Sequence, residues 1–222
     1  MKNKEFYDKI GVLIGKTLIQ EEKNMVYSNE SIYPQLKKEF IETFEVDFQA
    51  SFQIKQFCRE YPIETREIVL KYYNICKLNN EKAFLMSCLC NKKNKDLISF
   101  FIKQFYIQSD NDMTMDSIVN CLMVTADKKY ASEYLKILQS DNFSADNHGR
   151  ILWVFKALKL GIEIPIILKK IDIEQDCIND MLDCLSVYED SRFLPIFEKY
   201  LNHNDSYTRG IAKKAIKKIK NN

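Results

Sequence analysis

"FLPIFEKYLNHNDSYTRGIAKKAIKKIK", residues 193–220, poses the question that decides the fold. It holds seven Lys and Arg, all from Lys199 onward, against two acids, Glu198 and Asp205. Either this is a basic tail made for phosphates, or it is helical and its lysines face water. The spacing favours the second reading. Ile211, Ala212, Ala215, Ile216 and Ile219 recur at three- and four-residue intervals and define one side of a helix, while Lys213, Lys214, Lys217, Lys218 and Lys220 occupy the other. Lysine also suits the last turns of a helix, whose unpaired carbonyls are partly negative. The stretch reads as helices over 190–202 and 206–220, with Asp190 and Asp205 placed as N-caps.

The same pattern runs back along the chain. When "DLISFFIKQF" (96–105), "KYASEYLKIL" (129–138), "EIPIILKKI" (163–171) and "RFLPIFEKYL" (192–201) are aligned, Phe105, Leu138, Ile171 and Leu201 superpose and Lys103, Lys136, Lys169 and Lys199 share a column. The period is about 30–33 residues, that of helical-hairpin repeats. After each segment comes a polar connection, usually with Asp, and then a second helix: "MDSIVNCLMV", "HGRILWVFKAL", "CINDMLDCLSV", "YTRGIAKKAI". One hairpin cannot bury both its apolar faces, whereas stacked hairpins bury them against each other.

Helical spacing predicts helices over 3–21, 33–44, 47–60, 64–77, 80–91, 95–107, 114–125, 128–139, 147–160, 163–171 and 175–187 besides the last two. Five Gly and four Pro are too few for the tight turns of a barrel or sandwich of this size. Pro34 and Pro62 fall near helix starts, where a missing N–H costs little. The expected fold is all-α, an α-α superhelix of antiparallel hairpins. It should form one domain, 1–222, with irregular N-terminal helices over 1–61, a break around 22–32, and repeats over 62–222.

"LPIFEKYLNHNDSYTRGIAKKAIKKI" (194–219) resembles a HEAT repeat through Leu194, Pro195, Leu201, Asp205, Arg209, Ala212, Ala215 and Ile216. The likeness is strongest over 192–220, fair over 95–191 and faint before that. It implies a HEAT-like solenoid in which Asp205 and Arg209, and with them Asp146 and Arg150, form a ladder between adjacent repeats. It implies a fold and no reaction.

Thirty-three basic against thirty-one acidic side chains leave a formal charge of +2, so no whole-molecule field draws the chain to nucleic acid or a membrane. The apolar run between Lys9 and Lys16 is too short for a signal-peptide core or a bilayer span, which points to the cytoplasm. Seven cysteines in apolar segments read as buried, reduced thiols, and Cys88-x-Cys90 lacks the two-residue spacer of a zinc site.

Local patches carry what functional signal there is. Asp176, Asp180 and Asp183 stand at i, i+4 and i+7 with Asp172 and Glu174 just upstream, and Ile178, Met181, Leu182 and Leu185 point away from them. In HEAT-like stacks second helices line the concave side, so these five acids are the candidate protein-binding residues. Arg150, Lys213, Lys214, Lys217 and Lys218 are the candidate nucleic-acid contacts. Trp153, the single tryptophan, lies on a helix apolar around most of its circumference and is expected in the core, and His148 and His203 are expected as solvated loop residues. The Gly11-x-x-x-Gly15 pair reads as a close helix contact. No motif for catalysis, a metal or a cofactor is present.

The expected function is a non-catalytic protein-binding module without cofactor or metal, of the immunity or toxin-inhibitor type, whose acidic concave face blocks a basic toxin or effector. The Lys-, Asn- and Ile-rich composition fits a low-GC bacterial or phage coding sequence. The alternative is a HEAT-like nucleic-acid-binding protein, or a repair protein similar to the alkylpurine DNA glycosylases, which set exposed tryptophans, a carboxylate and basic residues around a flipped nucleotide.

Overall fold

Apolar residues at helical spacing produce twelve α-helices among residues 27–221, the part of the chain that the computed structural model describes, and no strand occurs among them. The helix expected over 3–21 and the Gly11, Gly15 pair lie outside the described residues. Cα packing divides the chain into two compact units, Met1–Thr125 and Ala126–Asn222.

The first unit contains α1 (Tyr33–Phe44), α2 (Ser51–Glu60), α3 (Pro62–Ile75), α4 (Asn79–Cys88), α5 (Ile98–Ile107) and α6 (Asp112–Thr125). Phe40, Phe44, Phe48, Phe57 and Tyr61 build an aromatic core with ring centroids between 4.7 and 6.4 Å apart. Such pairs add about 0.5–1.5 kcal/mol each beyond the area they bury. The break expected at 22–32 ends in a turn, and α1 begins where it does because of a distant residue. Buried Glu81 on α4 accepts the Ile32 N–H at 2.9 Å and the Ser31 hydroxyl, so a carboxylate from another helix supplies the missing cap. Tyr73 of α3 donates to Gln104 of α5 at 3.0 Å, and α4 packs along α6.

The second unit contains α7 (Ala131–Gln139), α8 (Ala145–Leu158), α9 (Ile164–Lys170), α10 (Ile178–Ser186), α11 (Leu194–Lys199) and α12 (Ser206–Asn221). Here α8 packs on α10 and α10 on α12, while α7 and α11 each lie against the helix that follows.

The expected recurrence is visible in the helix starts. Second helices open at Asn79, Asp112, Ala145 and Ile178, a constant interval of 33, then at Ser206, and first helices at Ile98, Ala131, Ile164 and Leu194. Phe101, Tyr134, Ile167 and Phe197 repeat as fully buried first-helix residues, and Lys103, Lys136, Lys169 and Lys199 are all exposed. Several first helices open through a 3-10 turn that the sequence reading merged with the helix. In those turns Asn91, Asp127 and Asp190 accept the backbone N–H two residues on, from Lys93, Lys129 and Arg192, at 2.9–3.0 Å.

The ladder implied by the HEAT resemblance takes another form. Arg209 donates to the carbonyls of His203 (2.6 Å) and Asn204 (2.8 Å), tying its own turn together, and α10 meets α12 where the Thr208 hydroxyl oxygen lies 2.8 Å from the Asn179 side chain. Asp205 does cap α12, accepting the Thr208 N–H at 2.8 Å. Hydrogen bonds from the Thr208 hydroxyl and N–H hold its carboxyl down at about 2. A depressed acid stabilises the fold above its ordinary value, 3.8, and that contribution is lost as pH falls toward about 2. Asp205→Ala should therefore lower Tm at neutral pH and remove part of the acid sensitivity below about pH 4, as thermal melts across that range would show.

Among the described residues no helix is long and apolar enough to cross a membrane.

Candidate functional site

The second helices of the second unit lie side by side, α8 against α10 and α10 against α12. Each turns an apolar stripe inward: Ile151, Leu152 and Phe155 on α8, Met181, Leu182 and Leu185 on α10, Ile211, Ala212, Ala215 and Ile219 on α12. Arg150, Asp180, Asp183 and the lysines of α12 lie on the remaining faces of these helices, whereas Asp172, Glu174 and Asp176 lie in the turns that lead into α10.

Four of the five acids have partners. Asp172 pairs with Lys199, Glu174 with Lys170 and His148, and Asp183 with Lys156, while Asp180 accepts the Trp153 indole N–H at 2.7 Å. Asp176 is the exposed one of the Asp176, Asp180, Asp183 set. Burial pushes the Asp180 carboxyl above its ordinary value, opposed by the indole bond and reinforced by Asp183 and Asp146. Burial also opposes ionisation of Glu174, but hydrogen bonds from Lys170 and His148 outweigh it and hold that carboxyl low.

Trp153 is half-exposed, which corrects its expected place in the core. It sits at the edge of the apolar stripe, where Gly149, one turn earlier, lets α10 come close enough for Asp180 to reach the indole. Tryptophan combines a large apolar body with one donor, so an edge position beside an acceptor satisfies both parts. His148 is likewise no loop residue. It is 2% exposed in the first turn of α8, with Nε2 donating to the Ser140 carbonyl at 2.9 Å and Nδ1 3.0 Å from Glu174. His203 is half-exposed in the turn before α12 and accepts the Asp205 N–H at 3.2 Å.

Between α10 and α12 opens a groove of about 420 Å³, with Asp183 and Ser186 on one wall and Tyr207, Gly210, Lys214 and Lys218 on the other. Tyr207 is 67% exposed at its edge. A Cβ built at Gly210 would meet nothing within 4 Å, so the missing side chain leaves open space rather than room for a neighbour. Asp183 is taken by Lys156, and Lys213, Lys214, Lys217 and Lys218 are exposed on α12 with no ion pair among the described residues. Arg150 is half-buried on α8, donating to Asn147 at 3.1 Å and acting electrostatically on Asp180. The surface thus brings Arg150, Trp153, Asp180 and Asp183 together, with Lys214 and Lys218 across the groove.

Sequence reasoning missed Lys156, Tyr207 and both glycines. The signal for the glycines was present, since a glycine inside a helix costs about 1 kcal/mol and asks for a packing or functional reason.

Asp180 has a further consequence for stability. Its carboxyl holds its proton more tightly folded than unfolded, so the native state loses stability as pH rises from below about 3.8 through the folded value. Asp180→Asn, which keeps an oxygen for the indole, should raise Tm at about pH 7 and leave it unchanged at about pH 3. Equal Tm for the two proteins at both pH values would refute the assigned environment.

Compared with known protein families, characterised proteins and solved structures, the chain shows no match.

Proposed function

We propose that this chain is a non-catalytic binding module, a HEAT-like α-solenoid that holds a protein partner on the face formed by α8, α10 and α12. The observation that carries this reading is the groove beside Gly210, open, edged by an aromatic ring and lined by Lys214 and Lys218, which have no ion pair among the described residues. A helical glycine with empty space above it is destabilising and fills no packing need, so close approach of another chain is its best explanation. Four of the five acids are engaged internally, which moves the expected partner from a basic surface to a segment with acidic side chains flanking an apolar one. The apolar group enters the groove, Tyr207 and Trp153 supply aromatic contact area, and Lys214 and Lys218 meet the acids. Neutralising a toxin or effector by covering its working surface is the specific role we assign to such a module, since it requires complementarity and no chemistry.

The test is capture from native lysate by wild type and by Lys214→Glu/Lys218→Glu, followed by affinity measurement on the purified partner. We expect a protein held by the wild type in a salt-dependent way and bound at least about tenfold more weakly by the variant, the equivalent of about 1.4 kcal/mol. Equal binding by both would overturn the assignment of this face.

A second reading, nucleic-acid binding, is favoured by one arrangement. Arg150 and Trp153, one turn apart on α8, both act on Asp180 of α10, and exposed lysines line the neighbouring α12. Retention on DNA or heparin resin at low salt, lost on Lys213→Glu/Lys217→Glu, would establish it over the protein partner.

A further inference from the structure

α3 and α5, first helices of the first unit, present a face that the α8, α10, α12 module does not use. They run side by side in the same direction, because Arg66 meets Asp96 at 2.6 Å and Tyr73 meets Gln104 at 3.0 Å, contacts 30 and 31 residues apart in sequence. Between the two helices lies a groove of about 460 Å³, with Leu70 and Phe100 at one level and Glu67, Lys71, Asn74 and Lys103 around them. The Phe100 ring is held against Tyr73, with 5.6 Å between centroids.

The side chains of this face are ordered symmetrically about the Leu70, Phe100 level. Glu67 stands three residues before Leu70 and Ile63 seven before it, while Lys103 stands three residues after Phe100 and Ile107 seven after it. Positions at those intervals share one side of a helix. Ile63 is 44% exposed and Ile107 57%, and exposed Ile75 and Tyr106 widen the apolar end. Glu67 is exposed, and its contact with the adjacent Arg66, 3.4 Å away, is a surface pair of little strength. Lys103 is exposed with no ion pair among the described residues. An acid toward one end, a base toward the other and apolar groups at the centre and both ends make a pattern complementary to itself when turned end for end.

We propose that this face is the contact of a homodimer, on which a second copy of the chain docks about a two-fold axis at the Leu70, Phe100 level. The axis lies in the plane of the face and oblique to the helices, so each α3 crosses its mate antiparallel. Ile63 of one copy then covers Ile107 of the other, Glu67 enters the gap between Lys71 and Lys103, and Leu70 and Phe100 close the centre. Each contact is made twice, as an isologous interface requires. Lys71 is held by Glu39 at 2.6 Å, so Lys103 is the cation left for the incoming carboxylate. Glu67 in the groove and exposed Asp110 and Asp112 beyond Ile107 oppose an anionic membrane as the occupant. Area sets the strength. The 14 residues of α3 span about 21 Å and two helices side by side about 20 Å. That is roughly half of the about 800 Å² per partner of a standard interface, so the dimer dissociates at roughly micromolar concentration.

Sedimentation velocity on the full chain from about 1 to 500 μM should show reversible conversion of monomer to dimer and nothing larger, since a two-fold contact closes on itself. Glu67→Lys and Lys103→Glu each set like charges together twice and should weaken self-association at least about tenfold. An equal mixture of the two variants restores opposite charges at both contacts and should associate to within about threefold of wild type. Both positions are exposed, so neither change disturbs the helices, as circular dichroism would verify. Lys214→Glu/Lys218→Glu, which shares no residue with this face, should leave the dimer unchanged, so failure here is distinct from failure of the binding module. A monomer at every concentration would overturn the proposal and leave the face to a different protein or a lipid surface. So would a dimer indifferent to both variants, or a mixture no tighter than its components.

Discussion

Gly149→Val should cost about 3 kcal/mol of stability, the upper end of what overpacking a close contact causes, net of a few tenths regained in helix propensity. A Cβ at this position would lie 2.4 Å from Asp180 Oδ2 and 3.1 Å from the Cys177 Cβ. The carboxylate cannot swing aside freely, because the Trp153 indole holds its other oxygen at 2.7 Å. Valine adds two methyl groups to that clash and forces α8 and α10 apart. Gly210→Ala is the internal control. It stands in an equally helical position with open space, so it should gain about 1 kcal/mol. Urea unfolding of both variants gives a sign test. Two glycines in one unit should move stability in opposite directions, and if both destabilise, the assigned packing of α8 on α10 or the open groove is wrong. Gly210→Leu, which fills the groove, should also weaken partner binding without loss of stability, separating the binding role of the position from its helical one.

His148→Ala should cost a similar amount, about 3 kcal/mol, by a different route. The ring is buried with Nε2 on the Ser140 carbonyl and Nδ1 3.0 Å from Glu174, so truncation leaves a cavity, an unpaired Ser140 carbonyl and a Glu174 without its imidazole contact. A pH dependence separates this from simple loss of volume. Glu174 is depressed below its ordinary value, 4.5, so in wild type it adds stability above that pH and the addition fades as pH falls through the folded value. In His148→Ala part of that increment is missing, and the gap between the two proteins should narrow toward about pH 3. A constant gap from about pH 7 to 3 would show that the contact with Glu174 contributes nothing.

Both predictions rest on contacts between successive second helices, and these divide what could be read in the sequence from what could not. Periodicity placed the helices to within a few residues, put Lys103, Lys136, Lys169 and Lys199 in water, and sent Ile211, Ala212, Ala215 and Ile219 inward. It also placed Asp190 and Asp205 as caps, because a cap is satisfied within three residues of itself. Such features are local, fixed by 3.6 residues per turn and by hydrogen bonds that close over a few residues.

The site was settled at longer range. Trp153 with Asp180 and Lys156 with Asp183 are each 27 residues apart, and His148 with Glu174 is 26 apart. The 33-residue interval between helix starts would set Trp153 beside Ser186, yet it bonds nearly two turns closer to the start of α10. That stagger is a product of packing, of how deeply α10 settles over Gly149, and no periodicity encodes it. The same holds for the Glu81 cap on α1. The sequence by itself determined that this chain is a succession of helices with one wet and one dry side, because each helix records its own faces. Only the tertiary structure decided which acids are neutralised, where the tryptophan emerges and where a groove stays open, because a side chain's charge and exposure depend on the neighbour that reaches it.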